Sequence, residues 1–179
     1  MKTEHIPLSV AAIAAAPSIG AVSYNQYSAG ELETRKWEQS QQDALQAVVV
    51  DFAKELASAH QRAHWLVWRA NHDSVALTQE DFAAFNSEAK AQLPRIFGYK
   101  VLLGAKHQSA YAAVDPIVVK YYAADACIGL AAAKFRLNRT QGIAGLLACE
   151  PLVVAVTDGL PIAFGKAMLY AVNKPAGAR

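Results

Sequence analysis

The chain is short of charge and of cysteine, and these shortages exclude whole classes of function. Charged residues make up 18% of the 179 positions, below the quarter usual for a soluble domain. So little charge leads one to expect part of the surface to be hidden by a membrane or a partner. The 17 basic residues are scattered among 15 acidic ones and form no run of five. A nucleic-acid face needs clustered Lys and Arg to neutralise phosphates, so nucleic acid is not expected as a partner. Only two cysteines occur, Cys127 and Cys149, and two lone thiols so far apart are no metal motif. In their apolar surroundings they read as buried, reduced side chains. A disulfide is the other reading and would require an oxidising compartment.

Motifs are missing as well. There is no Gly-x-Ser-x-Gly elbow, no phosphate-binding glycine pattern and no Glu-x-x-His pair of the kind a di-iron bundle uses. His60 and His64 are four apart on a helix and could share a metal. The zinc-protease pattern, however, needs Glu directly after the first His, and Gln61 stands there. Solvated or partner-facing histidines are the expectation; a metal-dependent site around His60, His64 and His72 is the enzyme alternative. Asp51 and Glu55 are also four apart, with Lys54 and Arg62 beside them, and read as a solvated helix face. No catalytic, cofactor-binding or metal-binding residue is assigned, no cofactor is expected, and the chain reads as a protein other than an enzyme.

What the chain does have is apolar surface, much of it alanine, which favours helix. Ile6–Tyr24 holds no charged residue and is about long enough to cross a bilayer as a helix. Pro7 and Pro17 interrupt it, and Pro17 would kink a helix near mid-span. The leading reading is a membrane helix. A cleaved export signal and an apolar arm buried against partner subunits are the alternatives. Lys2 lies on one side of the segment, with Arg35 and Lys36 on the other. This balance leans towards a membrane-associated protein with its bundle on the cytoplasmic side.

After the polar linker 25–30 the pattern becomes regular. Leu45, Val49, Phe52, Leu56, Ala59, Ala63, Leu66 and Ala70 recur at alternating spacings of four and three. That is the 3.5 period of a coiled-coil or bundle seam. No Pro or Gly falls between Glu31 and His72, so one long amphipathic helix is expected over 31–72. Trp65 and Trp68 flank the seam and should pack on another helix; Trp37 reads as an interfacial anchor or as bundle core.

Further on, Thr78 followed by Glu80 and Asp81 predicts a helix start. Phe82, Phe85, Ala89, Leu93 and Ile96 should face inward from that helix, Pro94 should kink it, and Gly98 and Gly104 suggest a break. Asp115-Pro116 predicts a second start, with Ile117, Tyr121, Ala124, Ile128 and Phe135 inward. A helix over about 140–149 follows. Pro151–Phe164 is ambiguous: Asp158-Gly159 is a hairpin signal, whereas two short helices broken at Gly159 suit the helical surroundings better.

The expected fold is therefore all-α: an apolar N-terminal segment and linker (1–30), a helical bundle led by the long helix (31–173), and a tail (174–179), with a short C-terminal β-hairpin as the variant reading. The expected role is that of a non-catalytic, membrane-anchored bundle acting as a structural or interaction component. It would meet other subunits through the long helix and a membrane through residues 6–24. A structural subunit of a large assembly, such as a virion or a multi-subunit membrane complex, is the alternative.

Overall fold

A computed structural model describes the backbone of residues 9–172 and the side-chain surroundings of residues 29–171. The start of the charge-free segment (6–8) and the tail (173–179) lie outside the described residues. Among the described residues every element is helical: α1 (Ser9–His72), a single 3₁₀ turn (Ser74–Ala76), α2 (Gln79–Lys106), α3 (Gln108–Leu137), α4 (Arg139–Leu147) and α5 (Glu150–Val172). The chain divides into two units, Met1–Gln42 and Asp43–Arg179. In the first, the described residues belong to α1, including the stretch 25–30 expected as a linker. Residues 29–41 are exposed there, Trp37 among them.

The second unit is built on the seam of α1. All eight seam residues from Leu45 to Ala70 are buried, and Val49, Phe52, Leu56 and Leu66 have no exposed surface. At about 1.5–3 kcal/mol for each fully buried large side chain, this stripe dominates the local energetics. One side of the seam meets α2 through a ladder of polar and aromatic pairs. Arg69 bonds Asp81 at 3.2 Å, Arg62 grips Glu88 with a shortest contact of 2.6 Å, Gln92 donates to Ser58 at 3.2 Å, and Arg95 reaches Glu55 at 3.3 Å. The ladder ends in Phe52 stacked on Tyr99. Each step forward along α1 is a step back along α2, so the two helices run antiparallel. Partly exposed ion pairs contribute only ~0–1 kcal/mol each, so the ladder sets register more than stability.

The same rule orders the other contacts. Phe82 meets Phe135, and Lys100 bonds Asp115 at 2.8 Å, which makes α2 and α3 antiparallel. Cys127 is joined to Cys149, while Gly159 lies against Ile117, so α4 and α5 together run back along α3. His60 meets Thr157 and Phe52 meets Phe164, closing α5 onto α1. The result is an up-down-up-down four-helix bundle whose fourth helix is broken where α4 meets α5.

Local chemistry explains the starts of α2 and α4. Thr78 caps α2 in a reciprocal box with Asp81. Asn138 caps α4 by accepting from the Gln141 N–H at 3.0 Å. Arg139 donates to the carbonyls of Ser74, Val75 and Leu77, tying the α1–α2 connection to the start of α4.

Three sequence expectations do not hold. Gly98 and Gly104 do not interrupt α2, Asp115-Pro116 lies inside α3 rather than at a start, and 151–164 is neither a hairpin nor two helices but the first part of the unbroken α5. One reason covers the prolines. Pro94, Pro116 and Pro161 all lie on the outside of the bundle, as do Lys90, Ala112 and Thr157, whose carbonyls lose their donor. Water can satisfy those carbonyls, so the helices continue.

The packing of α4 on α3 depends on one glycine. A Cβ at Gly142 would stand 2.3 Å from the Cα of Phe135, a clash with backbone. Gly142→Ala is expected to destabilise the bundle by about 1–3 kcal/mol despite the better helix propensity of alanine. Gly98→Ala, with open space around it, should instead stabilise by about 0.5–1 kcal/mol. Urea unfolding of the two variants checks this; equal effects would mean that the close approach of α4 is wrong.

Candidate functional site

Three features stand out against this frame: the histidines of α1, the cysteine pair and the outer face of α3.

His60 was expected on a solvated or partner-facing side, but it is buried, at 4% exposure. It lies beside the seam in a column with Ala53 and Val67, which faces α5. The opposite flank, with Glu55, Arg62 and Arg69, faces α2 through the ladder. Its Nε2 lies 3.0 Å from the Thr157 hydroxyl, which in turn donates to the Val153 carbonyl at 3.2 Å. With the hydroxyl hydrogen on the Val153 carbonyl, the tautomer that completes the chain carries its proton on Nε2 and donates it to Thr157. Nδ1 is then a buried acceptor with no partner among the described residues. His64, one turn on, is exposed, and His72 is exposed at the end of α1, stacked on Trp68 with Nδ1 at 2.8 Å from the Trp68 carbonyl. The three histidines expected as a metal alternative therefore do not converge, and no group of three or more His, Cys, Asp or Glu able to hold a metal occurs among the described residues. Trp65 packs under the guanidinium groups of Arg62 and Arg69, but Trp68 is half exposed, so only one of the two indoles is covered as expected.

Burial pushes His60 down from 6.5 to about 4, because an imidazolium there would lose its hydration; a hydrogen bond to the Val153 backbone opposes the shift, and the nearby His64 adds to it. The depressed value fixes the direction of linkage. Between the unfolded pKa of 6.5 and the folded one near 4, the unfolded chain binds the extra proton, so stability falls as pH falls through that window. From pH 7 to pH 5 the loss from this one group is about 2 kcal/mol. His60→Gln keeps a donor for Thr157 and removes the titration. The difference in unfolding free energy between wild type and variant should shrink by that amount on acidification, and a difference that does not change with pH would remove His60 as its cause.

The cysteines expected as reduced thiols form a disulfide, with Cα atoms 5.8 Å apart, within bridging range. Cys149 is fully buried at the junction of α4 and α5. The antiparallel register of α3 with the broken fourth helix brings the two together, a tertiary consequence that spacing along the chain did not reveal.

The outer face of α3 was not anticipated as a site. From Ser109 to Leu137 the outward positions recur at alternating spacings of three and four, and all are exposed and uncharged. They include Pro116, Val119, Ala123, Ala126, Leu130 and Leu137, with Leu137 at 90% exposure. Charge flanks this line without interrupting it: Lys120 and Lys134 on the α4–α5 side, Asp115 and Arg136 on the α2 side. Val154, Ile162, Leu169 and Tyr170 of α5 are exposed as well. Among the described residues two stretches, Gln108–Leu137 and Arg139–Ala171, are long and apolar enough to cross a membrane. The core helices of a soluble bundle meet that test too, and the inner faces of the two stretches are buried against each other, with α2 beside the first and α1 beside the second. The signal for this site was in the sequence: α3 carries apolar residues on its outer line as well as on its inner one.

Compared with known protein families, curated proteins and solved structures, the chain matches none of them.

Proposed function

We propose that the chain is a non-catalytic, membrane-tethered helical bundle whose role is to bind other protein through the outer face of α3. The uncharged line from Ser109 to Leu137 carries this reading. A continuous apolar stripe about 40 Å long on a water-facing helix is costly to leave wet and marks an interaction surface. The seam of α1, at first the natural place for a partner, is filled by the chain's own helices, so α3 takes that role. The charge-free segment 6–24 supplies the tether.

The Cys127–Cys149 bridge favours the opposite orientation to the one suggested by Arg35 and Lys36: a bundle on the exported, oxidising side of the membrane. The basic residues flanking segment 6–24 are few, one before it and two after, so the charge rule is a weak constraint here. A structural subunit of a large assembly, with the same segment buried in protein, is the second reading, supported by the low overall charge.

The test is expression of the full chain with alkaline phosphatase at its C-terminus, an enzyme that becomes active only after export. Recovery in membranes after alkaline carbonate extraction, with active phosphatase, is the expected result. A chain recovered in the soluble fraction without detergent would end the tether, and an inactive phosphatase on a membrane-bound chain would reverse the orientation.

A further inference from the structure

The outer line of α3 also defines its own occupant. We propose that a second copy of the chain docks on it, with the two α3 helices antiparallel about a twofold axis that passes between Ala123 and Ala126. This rests on reading the α3 face as a protein-binding surface. The 3.5 spacing of the line suits a helix lying nearly parallel to it along its whole length, because only that period keeps a straight seam in contact. A lipid-facing stripe has no need of that period, and Ala123, Ala126 and Ala133 expose too little surface to grip a bilayer. They do let two backbones approach closely.

Charge selects the direction and register. With Ala123 of one copy opposite Ala126 of the other, Val119 meets Leu130 and Ala112 meets Leu137. Arg136 then lies beside Asp115 of the second copy, and symmetry repeats the pair. Arg136 is exposed and belongs to none of the ion pairs among the described residues. Asp115 has room for it: Lys100 Nζ at 2.8 Å and Tyr111 Oη at 3.0 Å both use Oδ1, which leaves Oδ2 for the incoming guanidinium. Sliding one copy by a heptad sets Lys120 against Lys134 at both ends of one flank in one direction, and Lys120 against Lys120 in the other, so like charges oppose both neighbouring registers. A parallel pair brings no group to Arg136.

The experiment measures the mass of the full chain by light scattering and sedimentation, in detergent or, if the tether fails, in buffer, so the result does not depend on the tether. A dimer is expected. Ala123→Glu brings two carboxylates together at the axis and should weaken association about a hundredfold or more. Ala123 is exposed, so helical circular dichroism should not change. Ala83→Glu, on the outside of α2, should leave the dimer intact. A short bismaleimide should join Ala123→Cys copies but not Leu137→Cys copies, which the antiparallel arrangement holds at opposite ends. A wild-type monomer, or a dimer indifferent to Ala123→Glu, overturns the proposal. Cross-linking through Leu137→Cys overturns its direction. A monomer that binds anionic vesicles, and loses that binding with Ala123→Glu but not Ala83→Glu, would give the face to lipid instead.

Discussion

Phe52→Ala is expected to cost the bundle about 3–5 kcal/mol, a larger loss than that expected from Gly142→Ala. Phe52 has no exposed surface. Its ring stacks on Tyr99 of α2 at 5.5 Å and meets Phe164 of α5 edge-on at 5.4 Å. Truncation removes the transfer energy of the ring, leaves a cavity between three helices and deletes two aromatic contacts, each adding ~0.5–1.5 kcal/mol beyond burial. The site cannot collapse easily, because the rest of the buried seam, from Leu45 to Ala70, holds α1 in place against its neighbours. For a domain of this size the midpoint of thermal unfolding should fall by roughly 10 °C. Phe97 provides the matched control: the same residue type, 60% exposed on α2. Phe97→Ala should change stability by less than about 0.5 kcal/mol. Chemical unfolding of both variants decides the matter, and equal losses would show that the core has been misplaced.

That contrast also marks how far the sequence could be read. Phe52 and its seven companions were legible as a seam because a 3.5 period sustained from Leu45 to Ala70 seldom arises without a helix packed along it. The inward residues of α2 and α3 followed from the same periodicity, and Thr78 from its cap chemistry. What failed was punctuation. Pro94, Pro116 and Pro161, and the Asp158-Gly159 pair, look like breaks in isolation, yet each proline lies where water reaches the carbonyl it strips. Exposure is a tertiary property, and no local rule supplies it. His60 was misread for a related reason. Its burial depends on α5 lying along the Ala53–His60–Val67 column, and that flank differs from the ladder flank only in lacking charge. The outer line of α3 has the same period as the seam of α1 and was visible in principle. It is masked because α3 is apolar nearly all round, and its inner residues alone make a complete core face.

Removing the disulfide is the second large effect expected. Replacing Cys127 and Cys149 together by alanine should cost about 3 kcal/mol. The bridge closes a loop with a sequence separation of 22, and the unfolded chain regains that loop's freedom when it is cut. Alanine is the right replacement because Cys149 is fully buried and a serine hydroxyl there would need a partner. Reductant should destabilise the wild type by a similar amount and leave the double variant unchanged, which separates the bridge from the lost sulfur packing. The same pair reports on compartment. If the bundle lies on the oxidising side, alkylation of the native protein in its own membranes should label neither cysteine until reductant is added. Buried thiols can escape labelling in the folded state, so the measurement must follow denaturation under trapping conditions. Two free thiols found that way would return the bundle to the reducing side and restore the orientation that Arg35 and Lys36 suggested. The bundle would then have to stand on its apolar core alone. That core is closed on all four sides and anchored at Phe52, so the chain should still fold, about 3 kcal/mol less stable and with α4 the first segment to loosen.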